Sequence, residues 1–233
     1  MIPKIIHQIW IGPDPIPDRC KNYVETWKKL HPSWEYKFWD NTNIEELLSE
    51  ADKNSVDAYN HHVNGRMFSP ACQADIIRYL AVLKYGGVYI DIDFECYKPI
   101  DELILNKNLV VASPNSNVHW VCNGFFGATP GHEVLKNAVH DLKPRPLAHN
   151  GPTFFAKHFK KFIDCPYKTL YEGMKEKSRQ FPNVNLIHPK YLFTKKKESF
   201  ACHIALRSWL PHSAIQPLGP DQGFNPPKDN QKG

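Results

Sequence analysis

Tyr85-Gly86-Gly87-Val88-Tyr89-Ile90-Asp91-Ile92-Asp93 is an apolar run that ends in two carboxylates one residue apart. Val88, Tyr89 and Ile90 have the β-branched and aromatic character of a buried strand, and Gly86-Gly87 separates that strand from a preceding helix. At the end of such a strand Asp91 and Asp93 both reach the crevice beyond a sheet, where open α/β folds bind their ligands. Two carboxylates with coordination positions left open suit Mg²⁺ or Mn²⁺ shared with a substrate's phosphates, since these ions seldom sit in an all-protein cage. The expected ligand is a nucleoside diphosphate. A solvated turn carrying two aspartates has the same local sequence, so the surroundings decide.

Upstream, Ser69-Pro70 reads as an N-cap followed by proline at the first helical position, and Gly86 is a stop, which predicts one helix over 70–85. Ile76, Ile77, Leu80 and Leu83 form its core stripe, while Asp75 and Arg78, three apart, share another face. At this level an ion pair on the helix surface and a functional pair look alike.

Three separated blocks occur in order: Ile2-Pro3-Lys4-Ile5-Ile6-His7-Gln8-Ile9-Trp10-Ile11-Gly12, Ala74-Asp75-Ile76-Ile77-Arg78-Tyr79, and Gly86 through Asp93. Together they resemble glycosyltransferase family 32, the sugar-transferring family with an Asp-x-Asp motif, which includes yeast α-1,6-mannosyltransferases and bacterial capsule and lipopolysaccharide transferases. The glucosylating clostridial toxins look like more distant relatives. The resemblance runs through most of residues 2–210, strongly to about residue 100 and more loosely through Asn150-Gly151-Pro152-Thr153 and the stretch from His203 to Ser208-Trp209.

What the resemblance implies is specific. Asp91 and Asp93 would serve catalysis as holders of Mn²⁺ or Mg²⁺, the first also touching ribose or sugar and the second ligating the ion directly. Trp10, at the end of the first strand, would stack on the base, and Tyr89, on the same side as Asp91, would line the nucleotide pocket; a core role is open for both rings. Asp75 and Arg78 would hydrogen-bond the donor hexose, where a carboxylate and a planar guanidinium can read hydroxyl stereochemistry. Ser208 and Trp209 would close over the phosphates and exclude water, with Trp209 counted among the catalytic residues. Relatives carry His-His-Trp shortly before Ser-Trp; here only His203 remains, a candidate third metal ligand. Asn123, Asn150 and Thr153 are candidate contacts to donor or acceptor, with loop capping as the other reading.

The expected activity is therefore a metal-dependent retaining hexosyltransferase that uses a nucleoside-diphosphate sugar, either a UDP-hexose or GDP-mannose, on a glycan or other hydroxyl acceptor. Retention is implied by the resemblance, and no residue of the sequence stands out as a double-displacement nucleophile. A metal-dependent phosphohydrolase could use the same aspartates, and a non-catalytic sugar-nucleotide-binding protein could share the pocket.

With 233 residues, 42% of them hydrophobic, the chain can bury one good core. Residues 1–216 are expected to form a single domain and 217–233, rich in Gly, Pro, Asn and Lys, a flexible tail. The net charge of +5 is dispersed apart from Lys195-Lys196-Lys197, so nothing calls for nucleic acid. No stretch approaches the ~20 apolar residues of a transmembrane helix, and the first strand starts without a signal-peptide core. Six scattered cysteines show neither zinc spacing nor a compact disulfide pattern, and there is no Asn-x-Ser/Thr acceptor. These features point to the cytoplasm, although a trimmed lumenal domain would read the same way.

Strands are expected over 2–11 and 34–39 around a helix over 18–30, with helical pattern over 43–64. Further strands are expected at 109–112, 122–128, 184–187 and 200–205, and helices over 131–142 and 152–162. The alternation makes this an α/β chain, and the resemblance sharpens it to a GT-A-like fold with a mixed central sheet flanked by helices.

Overall fold

The computed structural model describes residues 1–114, 121–146, 149–163, 179–181 and 183–204. Strands β1 (Ile5–Ile9), β2 (Glu35–Trp39), β3 (Gly87–Ile90), β5 (Leu109–Ala112), β6 (Cys122–Ala128), β7 (Arg179–Phe181) and β8 (Val184–Ile187) form one sheet in the order β2-β1-β3-β6-β5-β8-β7. β1 pairs in parallel with β2 and β3, β6 runs antiparallel to both β3 and β5, β8 is parallel to β5, and β7 is antiparallel to β8. The sheet is thus mixed, as a GT-A-like fold requires. Helices α1 (Asp18–Leu30) and α5 (Asp101–Ile104) cover one face, and α4 (Pro70–Tyr85), α6 (Glu133–His140) and α7 (Pro152–Ile163) the other.

Period-2 alternation along β3 sends successive side chains to opposite faces of the sheet. Val88 and Ile90 pack into the core beneath α1 and α5, with Trp27, Leu103 and Phe125, whereas Tyr89 packs into the α4 side with Ile76, Phe126 and Phe155. Asp91, two residues after Tyr89, continues on the α4 side. Gly86 and Gly87 make the turn from α4 into β3 at φ values of 65° and 90°. A Cβ on Gly86 would lie 2.6 Å from Pro130 Cδ, and one on Gly87 2.6 Å from the Ile5 carbonyl oxygen, so only glycine lets the helix return this closely to the sheet.

The helix read over 70–85 has those limits, with the Ser69 hydroxyl capping the Cys72 N–H. The helical pattern over 43–64 resolves into two short helices, α2 (Glu45–Leu48) and α3 (Lys53–Asn60), the second capped by Asp52. Several short elements are not among those expected from the sequence, including α5, β7 and a strand next to the aspartates. After Asp93 the chain enters β4 (Phe94–Cys96), which pairs antiparallel with β9 (Ala201–His203) in a separate two-stranded sheet. Three residues are too few to show an alternation, and the paired strands lie far apart in sequence. The proposed tail over 217–233 lies outside the described residues.

His7 is fully buried on β1, where its Nδ1 accepts from the Trp39 indole N–H at 3.1 Å, leaving Nε2 to donate to the Gly86 carbonyl at 2.8 Å. Burial pushes its pKa down from 6.5 to about 4, despite the raising effect of the Gly86 bond. The unfolded chain takes up this proton near pH 6.5 and the folded chain only near 4. The neutral imidazole's contribution is therefore complete above 6.5 and is lost as pH falls from 6.5 towards 4, by about 3 kcal/mol. The melting-temperature gap between native protein and His7→Gln is expected to narrow over that window. A gap independent of pH would remove His7 as its source.

Candidate active site

Asp91, Asp93 and His203 meet at the end of β3, each offering one ligand atom within 4.8 Å of the others. The turn is built by the backbone: Asp91 N–H donates to the Gly124 carbonyl at 2.8 Å and Phe94 N–H to the Asp91 carbonyl at 3.1 Å. His203 arrives through the β4–β9 pairing, in register opposite Phe94, with its ring stacked on Phe94 at 4.4 Å and Nε2 3.1 Å from Asp93 Oδ1. Burial works against charging His203, but the carboxylates of Asp93 and Asp91 outweigh it and hold its pKa above the ordinary range.

Asp91 is clamped on one oxygen. Its Oδ1 accepts from Tyr89 Oη at 2.6 Å and Arg78 Nη1 at 3.1 Å, and Gln8 Nε2 reaches its carbonyl at 3.4 Å. Gly124, directly across on β6, makes room for the other oxygen: a Cβ there would lie 2.4 Å from Asp91 Oδ2. The donor set of two carboxylates and one imidazole, with Asp91 held by outer partners, fits a small divalent cation with positions left for phosphate oxygens.

Arg78 and Asp75 are not an exposed pair. Arg78 Nη2 lies 3.2 Å from Asp75 Oδ1, and their side chains are 8% and 13% exposed. The guanidinium also donates through Nε to the Ala74 carbonyl and through Nη1 to the Asn123 carbonyl at 2.9 Å, and it lies over the Tyr89 ring at 4.5 Å. Burial disfavours its charge, but Tyr89, Asp91 and Asp75 around it more than compensate and raise its pKa. For Asp75 burial prevails over Arg78 and Asn123, and its pKa is raised. Asn123 completes the network, its amide donating to Asp75 Oδ1 at 2.8 Å and to Tyr79 Oη at 3.0 Å. Tyr79 Oη in turn donates to the Asn150 carbonyl at 2.9 Å.

The structure thus brings Asp75, Arg78, Tyr89, Asp91, Asp93 and His203 together. Tyr89 is only 2% exposed: its ring packs in the core, the placement left open beside a pocket-lining one, and its hydroxyl donates to Asp91. Trp10 follows β1 at the same edge of the sheet, half-buried against the cluster that contains Ile92, and its indole N–H donates to the Asp14 carbonyl at 2.7 Å. Ser208 and Trp209 lie outside the described residues. Gln8 and Gly124 were not singled out from the sequence. Gln8 follows His7 inside an otherwise apolar strand, where a polar pair was the available signal; Gly124 shows its purpose only across the sheet.

The family described as "Glycosyltransferase sugar-binding region containing DXD motif" matches residues 17–110. Inositol phosphoceramide mannosyltransferase 1 of Schizosaccharomyces pombe is 27% identical over 222 residues, covering 89% of this chain and 62% of that protein. An uncharacterized glycosyltransferase of Acanthamoeba polyphaga mimivirus is 28% identical, over 91% of this chain and 85% of its own length. The mannosyl phosphorylinositol ceramide synthase SUR1 of Saccharomyces cerevisiae is 30% identical over 73% of this chain, which spans 38% of that relative. Among solved structures, the PaToxG glycosyltransferase superposes with a TM-score of 0.53 at 18% identity over 70% of each chain, a likeness of fold. The match to that family runs through the two aspartates at the end of β3, and over most of its length the chain is similar to glycosyltransferases whose sugar-binding region carries a DXD motif.

Proposed function

We propose that the protein transfers a hexose from a nucleoside-diphosphate sugar to a hydroxyl acceptor, with retention at the anomeric carbon and with Asp91, Asp93 and His203 holding Mn²⁺ or Mg²⁺. The convergence of those three side chains beside the buried Asp75–Arg78–Asn123 network carries this reading. The names of the relatives make mannose the first sugar to test and a hydroxylated lipid headgroup, as in inositol phosphoceramide, the first acceptor.

A divalent cation in this site supplies positive charge to the departing diphosphate. Tyr89, Gln8 and Arg78 hold Asp91 in place before substrate arrives, so little reorganisation is needed as charge develops. Asp75 accepts from the donor's hydroxyls. Arg78 spends most of its N–H groups on Ala74, Asp91, Asn123 and Asp75, so its main part is to set the directions of the two carboxylates. Trp10 offers an indole to the base at the neighbouring strand end. In the transfer itself the bond from the anomeric carbon to the diphosphate oxygen breaks, the acceptor oxygen bonds to that carbon from the same face, and its proton passes to the departing diphosphate.

The test is a melting and turnover screen of UDP-glucose, UDP-galactose, UDP-GlcNAc and GDP-mannose with and without Mn²⁺. One donor is expected to be turned over, and at about 100 times its Kd to raise the melting temperature by roughly 5–10 °C only when Mn²⁺ is present. A shift without turnover would identify a binding protein. Release of phosphate from unsugared nucleotides would identify a phosphohydrolase.

A further inference from the structure

Among the described residues, Met67 at 37% and Phe68 at 46% exposure are the adjacent pair of large apolar side chains left in solvent. The turn that carries them is built, not loose. Phe68 N–H donates to the Gly65 carbonyl at 3.2 Å, Ser69 N–H to the His62 carbonyl at 3.0 Å, and Gln73 Nε2 to that same carbonyl at 3.1 Å. The buried His62 ring bonds the Met67 carbonyl at 3.0 Å. The backbone is thus tied inward while the side chains of Arg66, Met67 and Phe68 point out. No described carboxylate pairs with Arg66; Asp57, on the preceding helix, is held by Lys53. An ordered apolar pair beside an uncompensated cation adds nothing to the core and matches the chemistry of an anionic interface.

Its place in the fold gives it a purpose. α4 runs from this turn down to the sheet, returns through Gly86 into β3, and meets Asp91 through Arg78. Pro70 lies eight residues before Arg78, so the helix start stands about 12 Å above the Asp91 contact. Pro70 also packs on Gly12, just beyond Trp10, where a Cβ would come within 2.9 Å of its ring. The turn therefore sits on the rim of the crevice.

We infer that Arg66-Met67-Phe68 is a membrane-docking element: its apolar side chains enter the acyl boundary of an anionic phospholipid bilayer and Arg66 pairs with lipid phosphates. The crevice is then presented to a hydroxylated headgroup projecting from that surface. The inference rests on the transfer reading for its acceptor, but its test does not. The full chain is sedimented with phosphatidylcholine vesicles and with phosphatidylcholine vesicles doped with phosphatidylserine. Native protein is expected to partition more strongly to the doped vesicles, in a salt-sensitive way. Phe68→Ser and Met67→Ser should each weaken partitioning about ten-fold, and Arg66→Ala about five-fold, mainly on the anionic vesicles. Melting temperature and donor hydrolysis should stay native in all three. Native protein that binds neither vesicle, or a Met67→Ser/Phe68→Ser double variant that partitions as native does, overturns the proposal. If vesicle binding behaves as expected and no donor is turned over, docking stands and the transfer reading falls.

Discussion

Replacing Asp93 with asparagine is expected to lower turnover by about two orders of magnitude, equivalent to ~3 kcal/mol of transition-state stabilisation, while the protein stays folded. The side chain sits on a turn, 16% exposed, facing His203 at 3.1 Å, and an amide of the same shape keeps the packing. What it loses is the charge that holds a cation against the diphosphate, and with it the main influence raising the His203 pKa. The binding measurement is sharper than the rate. By calorimetry, native protein should bind the nucleoside diphosphate far more tightly with Mn²⁺ than in EDTA, and that difference should collapse in the variant. Equal native affinity in EDTA would sink the metal assignment, and a folded variant retaining most of its turnover would contradict the mechanism.

Arg78→Ala is expected to damage both fold and function. Removing one partner of a buried ion pair typically costs about 3–5 kcal/mol, because the remaining charge keeps its desolvation without compensation. Here two carboxylates, Asp75 and Asp91, lose their shared cation together. For a chain of this size that corresponds to a fall in melting temperature of roughly ten degrees. Arg78→Lys separates charge from geometry. A lysine restores a positive charge, but one ammonium cannot reach Asp75, Asp91 and the Asn123 and Ala74 carbonyls at once, so stability should recover in part while transfer stays low. The surface-pair reading open from the sequence predicts a loss of only about 0–1 kcal/mol and unchanged turnover. A native melting point for Arg78→Ala would revive that reading.

The local elements and the residue chemistry they carry are legible along the chain. The helix over 70–85 is written in a proline start, an apolar stripe and a glycine stop, and the strand over 88–90 in three residues suited to a pleated, buried surface. Both depend on neighbours along the chain. The carboxylate pair at Asp91 and Asp93 is also local, because a strand end delivers consecutive polar side chains to one edge of a sheet. The spacing of Asp75 and Arg78 showed that they share a helix face, but not whether that face met water.

Everything that turns these parts into one site depends on pairing across the sheet and between sheets. The β3–β6 register sets Gly124 opposite Asp91 and makes room for its second oxygen. The β4–β9 register brings His203 to Asp93 from a distant part of the chain. Alternation along β3 turned Tyr89 into the core and left its hydroxyl to hold Asp91, and burial of this face of α4 against the sheet let Arg78 join Asp75 to Asp91. Periodicity records which way a side chain points relative to its own element. Which partner it meets is set by the packing of elements distant in sequence, which no local pattern encodes.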